Sequence, residues 1–407
     1  VSPQEVFVNI LDLLAHGVLD LSIPALIGVT LLLTHITVLG VTLYLHRFSA
    51  HRALWLHPAL QHFFRLWLWL GTGMTTKEWT AVHRKHHADC ETVEDPHSPV
   101  VMGLPKILWD QASAYRVAAA KPELIARYGS GTPEDWLETH VYKYSFIGIG
   151  LMALIDLVLF GVIGISVWAI QMMWIPLVGG VINGIGHYWG YRNFEPPDAS
   201  RNIVPIGILI GGEELHNNHH TYPNSAKYSA RAWEFDIGWM YIRLFMMLGL
   251  ARPLSTGPVI ERRTSALLDK DTAMALVNDR FNVMATYART VVAPIVQQQR
   301  SNANAASRKL LRRAHSLLCR DASLLDDQGR ARLATLVEVP ELKTVYDLRL
   351  RLQDIWTKRT GNLEEVVQAL RQWCQDAEAS GVETLRAFVD DIQRYTVPKL
   401  TKAGVAA

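Results

Sequence analysis

The sequence predicts an all-α integral-membrane protein: a few-span helical membrane domain with a cytosolic, histidine-rich metal cap, followed by a soluble helical appendage at the C-terminal end. Three observations carry this. Long uncharged runs alternate with polar stretches through the first part of the chain, whereas the last third is polar and charged. Eight histidines fall into three short boxes, His46 to His51 (H-R-F-S-A-H), His83 to His87 (H-R-K-H-H) and His216 to His220 (H-N-N-H-H), each near an apolar run. Beyond about residue 262, apolar residues recur at helical spacing among alternating charges, as in Leu342–Trp356 and Leu363–Ala377, the signature of amphipathic helices.

At 407 residues the chain has room for two or three domains. A net charge of +2 leaves no nucleic-acid footprint, so no nucleic-acid partner is expected. Cys90, Cys319 and Cys374 are odd in number and form no C-x-x-C. They suggest neither a disulfide framework nor a zinc finger, and they suit a reducing cytosolic side. The first residues show no basic run and no small-residue cleavage pattern, so no removable leader is expected.

Residues 1–22 read as an N-terminal interfacial segment, because Asp12, His16 and Asp20 interrupt its apolar run and charge is costly at a membrane centre. An ordinary amphipathic surface helix fits the same pattern. Residues 23–261 read as the membrane domain. Its strongest span is 23–45, which has no charged residue and is long enough to cross a bilayer. His35 within it is read as a hydrogen-bonded packing residue. The first basic residue is Arg47, after which Arg52, Arg65, Lys77, Arg84 and Lys85 follow. The positive-inside rule puts the His46 end in the cytosol.

Leu56 to Met74 is apolar and aromatic, yet a crossing there would set the first two boxes on opposite membrane faces. With Arg65 in its middle, it reads as an interfacial helix. Two further spans, about 144–160 and 165–188, form a hairpin. Asp156 in its first arm is a functional suspect, and a packing hydrogen bond accounts for it equally. The run from Ile203 to Ile210 is too short to cross. Arg231 to Leu250 reads as another interfacial helix. Residues 262–407 form the soluble helical domain, with turns at Gly361-Asn362 and Ser380-Gly381 and one imidazole, His315.

On an α-helix, positions i, i+3 and i+4 share one face. His83, His86 and His87 can therefore converge on one site, as can His216, His219 and His220. His46 and His51 lie roughly 140° apart on a wheel of about 3.6 residues per turn, so they need a helix end between them or serve two metals. Asn183 and His187, four apart at the end of the last span, add a ninth imidazole and a group able to hold a metal-bound water. Neutral imidazole suits Fe, Zn, Cu and Ni. Nine are too many for one zinc, whereas two metals at four or five ligands each use them all. Glu91, Asp95, Glu213 and Glu214 are expected behind the rings, orienting their N–H groups. His57, His62, His97 and His140 are read as non-ligands.

The order H-x4-H, H-x2-H-H, H-x2-H-H with N-x3-H closing the last span resembles the membrane-bound fatty acyl desaturases. So do the flanking words Glu78-Trp79, Glu91-x3-Asp95-Pro96-His97 and Leu215 to Pro223. The resemblance covers roughly residues 24 to 250 and is nearest to bacterial desaturases of the acyl-CoA, Δ9-type branch. It implies a di-iron centre that uses O2 to remove two hydrogens from a long acyl chain. It implies as ligands His46, His51, His83, His86, His87, His187, His216, His219 and His220, with Asn183 acting through water. It implies that Trp79 shapes a bent acyl tunnel, and that electrons come from a separate ferredoxin- or cytochrome b5-like donor with its reductase. The implied location is a bacterial inner membrane, with the boxes and the C-terminal domain facing the cytoplasm. Two departures stand out. Ala81 and Val82 occupy the positions of an Arg-Asp pair that holds the CoA headgroup in animal stearoyl-CoA desaturases, so a phospholipid-linked chain is an alternative substrate to acyl-CoA. Only one clear span precedes the first box, where the animal enzymes have two. The rival functions are a hydroxylase or ketolase of the same histidine-rich kind, acting on alkanes, sterols or carotenoids, and a non-catalytic metal-binding membrane protein.

Overall fold

The computed structural model describes residues 11–357 and 362–398. The first ten residues of the expected N-terminal segment, and Gly361 of the expected turn, lie outside them. The chain divides into two compact units, Val1–Arg192 with Ala199–Gly257, and Asn193–Asp198 with Pro258–Ala407. The short loop 193–198 thus belongs with the second unit, although the sequence places it inside the first.

The first unit is mostly helical. Helix α1 (Ile23–Leu39) starts with Pro24 in its first turn, where a missing N–H costs nothing. The Thr30 and Thr34 hydroxyls donate back to the carbonyls of Leu26 and Thr30, so these polar groups are satisfied inside the helix. The chain then continues without a break as a π-helical segment, Gly40–Ala50. The whole stretch Ile23–Ala50 is 28 residues long and apolar enough to cross a membrane.

Strand β1 (Leu54–Leu56) leads into helix α2 (Pro58–Thr72). His57 caps α2, its Nδ1 accepting from the Ala59 N–H, and Gly73 ends it in the left-handed conformation at φ 66°. Fifteen residues at about 1.5 Å each fall short of a bilayer. Arg65 on α2 is buried, with its guanidinium bonded to both oxygens of Asp135 and to Glu138. The side of α2 bearing Arg65, Leu68 and Trp69 is therefore buried, while Phe63 and Leu66 are exposed. Helix α3 (Thr76–Ala88) opens with Thr75 accepting from the N–H of Glu78, a Thr-x-x-Glu start.

Helices α4 (Ser145–Phe160) and α5 (Gly164–Gly180) fold back on each other through Gly161, at φ 71°. Trp168 donates to the carbonyl of Ile149, and Gln171 to Asp156. The second bond gives Asp156 a packing partner within the hairpin. Gly148 on α4 meets Trp69 so closely that a Cβ would lie 2.5 Å from its carbonyl. A second π-helical segment, Val181–Ile185, ends the second arm, before the expected limit of 188. His35 hydrogen-bonds the hydroxyl of Tyr241.

After the hairpin the chain is extended. Strand β2 (Ile206–Gly207) pairs in parallel with β3 (Phe235–Asp236), and β4 (Ala251–Pro253) pairs antiparallel with β1. Between β2 and β3 lies the six-residue helix α6 (His216–Thr221), and helix α7 (Ile237–Met247) follows β3. Leu43, Tyr44, Leu45, Leu54, Leu56, Phe64, Leu68 and Ile242 form the core here.

The second unit is helical around its own core, which includes Leu276, Tyr287, Leu342, Leu352, Trp373 and Phe388. The Tyr287 hydroxyl and the Trp373 indole N–H donate to the carbonyls of Val345 and Leu348. A pairing of Glu261–Arg262 with Tyr395–Thr396 joins its two ends, and the Glu195 N–H donates to the Phe281 carbonyl. Cys319 and Cys374 are buried and unbridged.

One ion pair ties the box-bearing end of α1 to β3. Arg47 and Asp236 are fully buried and bonded at 2.9 and 3.1 Å. Asp236 also accepts from the N–H groups of Tyr228 and Trp239. Removing one partner leaves the other charge buried alone. Asp236→Ala should therefore lower the stability by about 3–5 kcal/mol, read as a large drop in melting temperature of the detergent-purified protein; a change of a few tenths would contradict the structural role.

Candidate metal centre

The box residues sit on three helix ends and one turn. His46 lies in the π segment after α1, and His51 directly follows it. Helix α3 carries His83, His86 and His87, and α6 carries His216, His219 and His220. His187 follows the second π segment, its N–H bonded to the Gly184 carbonyl.

The structure takes the first of the two solutions open to the first box, a helix end between the two histidines, since the π segment stops at Ala50 and His51 caps it. The His51 N–H donates to the His46 carbonyl at 3.0 Å, an i→i+5 bond. Such winding sets residues five apart on one face. The two rings lie 4.9 Å apart and face the same site. No second metal is required.

Two groups result. His46, His51, His83, His87 and His219 each offer a ligand atom within 4.8 Å of the others, and so do His86, His187, His216 and His220. Within the groups, Nε2 atoms approach one another: His46 and His219 at 3.0 Å, His51 and His83 at 2.8 Å, His87 and His219 at 3.0 Å, His187 and His216 at 2.9 Å. Nine imidazoles thus form a five and a four, a donor set that fits two borderline divalent ions.

Carboxylates stand behind three of the rings. His46 Nδ1 donates to Glu213 at 2.7 Å, His86 Nδ1 to Asp95 at 2.9 Å, and His187 Nδ1 to Glu91 at 2.8 Å. Each bond fixes the tautomer and leaves Nε2 as the coordinating atom. Burial pushes Asp95 and Glu91 up, but the adjacent His86 and His187 outweigh it and hold both below the usual carboxylate range. Glu214 departs from its expected role. It accepts from the backbone N–H groups of Leu209, Ile210 and Gly212, so it shapes the loop before α6 and orients no ring.

Trp79 stacks on His83, with ring centroids 4.9 Å apart. It lines a cavity of about 580 Å³ that also reaches His46, His83, His216 and Asn183. The rest of the wall is largely apolar, including Val38, Ile149, Met172 and Pro176. The size and lining suit a long apolar ligand.

Residues 21–236, just over half of the chain, match the family model for fatty acid desaturases. The chain belongs to the fatty acid desaturase family. It is 32% identical over 260 residues to the sn-1 stearoyl-lipid 9-desaturase of Anabaena variabilis, covering 61% of this chain and 93% of that one. It is 30% identical to the Delta-9 acyl-lipid desaturase 1 of Arabidopsis thaliana, over 64% of this chain and 85% of the relative. It is also 30% identical to the acyl-CoA C20 Delta5-desaturase of Anemone leveillei, over 56% and 72%. Residues 270–400 match a different model, that of a transposase family, a likeness that the helical periodicity of this segment does not reveal.

Some partners of the boxes are invisible in the desaturase motifs. The Tyr228 hydroxyl lies 3.3 Å from His46 Nδ1, and its ring packs between His219 and the Arg47 guanidinium. Thr42 donates to Glu213. Asn218, between the box histidines, donates to Glu234 and to the Tyr228 carbonyl. These contacts join segments far apart in sequence, and no local spacing signals them. His57, His62 and His140 are exposed and away from the groups. His97, set aside with them, is instead buried, with its ring 4.4 Å from His86.

Burial, followed by neighbouring imidazoles, holds the pKa of His51, His83, His87, His216, His219 and His220 well below 6.5. The unfolded chain, with ordinary histidines, takes up more protons, so the stability from these neutral rings is full above 6.5 and lost as pH falls toward the depressed values. The metal-stripped protein should keep a level melting temperature above about pH 7 and lose it progressively on acidification. A melting temperature that rises between neutral and mildly acid pH would contradict the burial of neutral rings.

Proposed function

We propose that this desaturase is an integral-membrane, O2-dependent enzyme that introduces a cis double bond into a long acyl chain at a nine-histidine di-iron centre. The observation that carries the reading is the pairing of a five-imidazole and a four-imidazole group at the wall of one apolar cavity. His46, His51, His83, His87 and His219 would hold one iron. His86, His187, His216 and His220 would hold the other, with Asn183 contributing through water. When bound, the irons would pass donor electrons to O2 and so activate it as the oxidant of an unactivated C–H bond. The chain's own residues bind and orient. Glu213, Asp95 and Glu91 keep Nε2 of their histidines turned inward, and the cavity beside Trp79 sets which carbon faces the metals.

We take the acyl chain to be lipid-linked. Ala81 and Val82 are buried and packed with Ala118 and Leu124, so that part of α3 offers no charge to a CoA headgroup. The Anabaena and Arabidopsis relatives are named for acyl-lipid substrates. The stretches Ile23–Ala50 and Ser145–Ile185 are long and apolar enough to cross a bilayer. In this reading they anchor the enzyme in a bacterial inner membrane, with the boxes and the residues after 262 on the cytoplasmic side. Electrons come from a separate ferredoxin- or cytochrome b5-like donor.

Expression in a host without desaturases, followed by mass spectrometry of lipid and thioester pools, tests this directly. Loss of two hydrogens from lipid-linked chains is expected, whereas gain of an oxygen atom would identify a hydroxylase or ketolase. His86→Ala should abolish turnover and deplete iron while the protein stays in the membrane fraction. Asp95→Asn, which loosens the orientation of His86 and the turn held by the Glu91 and His97 N–H groups, should cost about 10–100-fold in iron affinity or activity. Full activity in either variant would overturn the ligand assignment.

A further inference from the structure

His97 stands at the edge of the four-histidine group and has no role in the ligand set. Its ring is buried, 4.4 Å from His86, and lines the apolar cavity. Neither Nδ1 nor Nε2 has a hydrogen-bond partner among the described residues. Its backbone is fixed: the His97 N–H donates to Asp95 Oδ1, the carboxylate that also receives His86. The next residue, Ser98, donates to Glu91, which receives His187. The turn that orients two histidines of the four-membered group therefore delivers the His97 ring to the same place.

Three roles compete for this ring. A packing histidine would find partners, because each buried polar atom left unsatisfied costs about 1–3 kcal/mol. A metal ion of its own with His86 and Asp95 is disfavoured, although each offers an atom within 4.8 Å of the others. Both oxygens of Asp95 are already engaged, by His86 Nδ1 and by the N–H groups of His97 and Glu91. What remains is a ligand that enters the cavity. A mid-chain methylene has nothing to offer an imidazole, which presents one N–H donor and one lone pair when neutral. The occupant must then be small and polar enough to lie between the acyl chain and the metals.

We propose that His97 is a positioning residue that hydrogen-bonds a water molecule at the metal end of the cavity beside the four-histidine group. This rests on the di-iron desaturase reading. The full-length, iron-loaded enzyme tests it in two variants. His97→Phe keeps a flat ring and removes both nitrogens, and His97→Gln retains a donor and an acceptor. The readouts are iron per chain, the Mössbauer spectrum, and double bonds formed and peroxide released per O2 consumed.

Both variants should hold as much iron as the wild type. The Phe substitution should change the Mössbauer signal of one iron and cut double bonds per O2 by about tenfold, with the difference released as peroxide. The Gln substitution should restore most of both. Iron falling to about half in both variants would make His97 a ligand and overturn the proposal. Wild-type spectrum and yield in the Phe variant, or equal impairment in both, would reduce it to packing. If the Phe substitution does not fold, His97→Leu gives the same readouts. A wild-type enzyme that holds no iron, or adds oxygen to its substrate, would sink the parent reading before the variants are compared.

Discussion

The first unit depends on desolvating nine imidazoles and turning them toward two points. As cations they would repel one another at ring spacings of 4.3 to 4.9 Å. Burial disfavours the charged form of His51, His83, His87, His216, His219 and His220, which leaves these rings as lone-pair donors. The outer nitrogens of the other three are held by carboxylates from elsewhere in the chain: Glu213 for His46, Asp95 for His86 and Glu91 for His187. Those carboxylates are anchored in turn, as Glu213 is by Thr42 and Asp95 by backbone N–H groups. The helices supply the rings, and the irregular segments between them supply the second layer that fixes the geometry.

The same constraint accounts for two of the four π-helical segments among the described residues. Each lies where an apolar helix reaches the metal groups, Gly40–Ala50 before His51 and Val181–Ile185 before His187. Regular winding turns His46 and His51 away from each other. The wider turn brings both into the five-membered group, while Arg47 between them pairs with Asp236. Such segments are uncommon and gather at functional sites, and here the reason is geometric.

Much of this was legible in the sequence, for physical reasons. The helices of the second unit follow from period and charge alternation, and the boxes in α3 and α6 follow from i, i+3, i+4 geometry. The apolar stretches follow from the absence of charge between Ile23 and Leu45 and from a hairpin whose one charged residue is Asp156. What sequence spacing could not supply was long-range or irregular. The π winding changes the residues per turn without any local signal. Tyr228 and Thr42 act through partners more than a hundred residues away. Glu214 sits beside Glu213, yet it turns to backbone N–H groups because the loop before α6 needs an acceptor. His97, although it closes the word Glu91-x3-Asp95-Pro96-His97, is read with His57, His62 and His140 as a non-ligand, and its turn delivers it beside His86. The likeness of residues 270–400 to a transposase family was equally hidden, since amphipathic periodicity reports helices and not ancestry.

Iron K-edge X-ray absorption of the purified, iron-loaded protein tests the central claim most directly. A first shell of imidazole nitrogens, about four to five per iron, with no sulfur, is the result that the five-and-four arrangement predicts. A shell dominated by carboxylate oxygen or containing sulfur would contradict it, because neither can be built from the nine rings that the fold brings together.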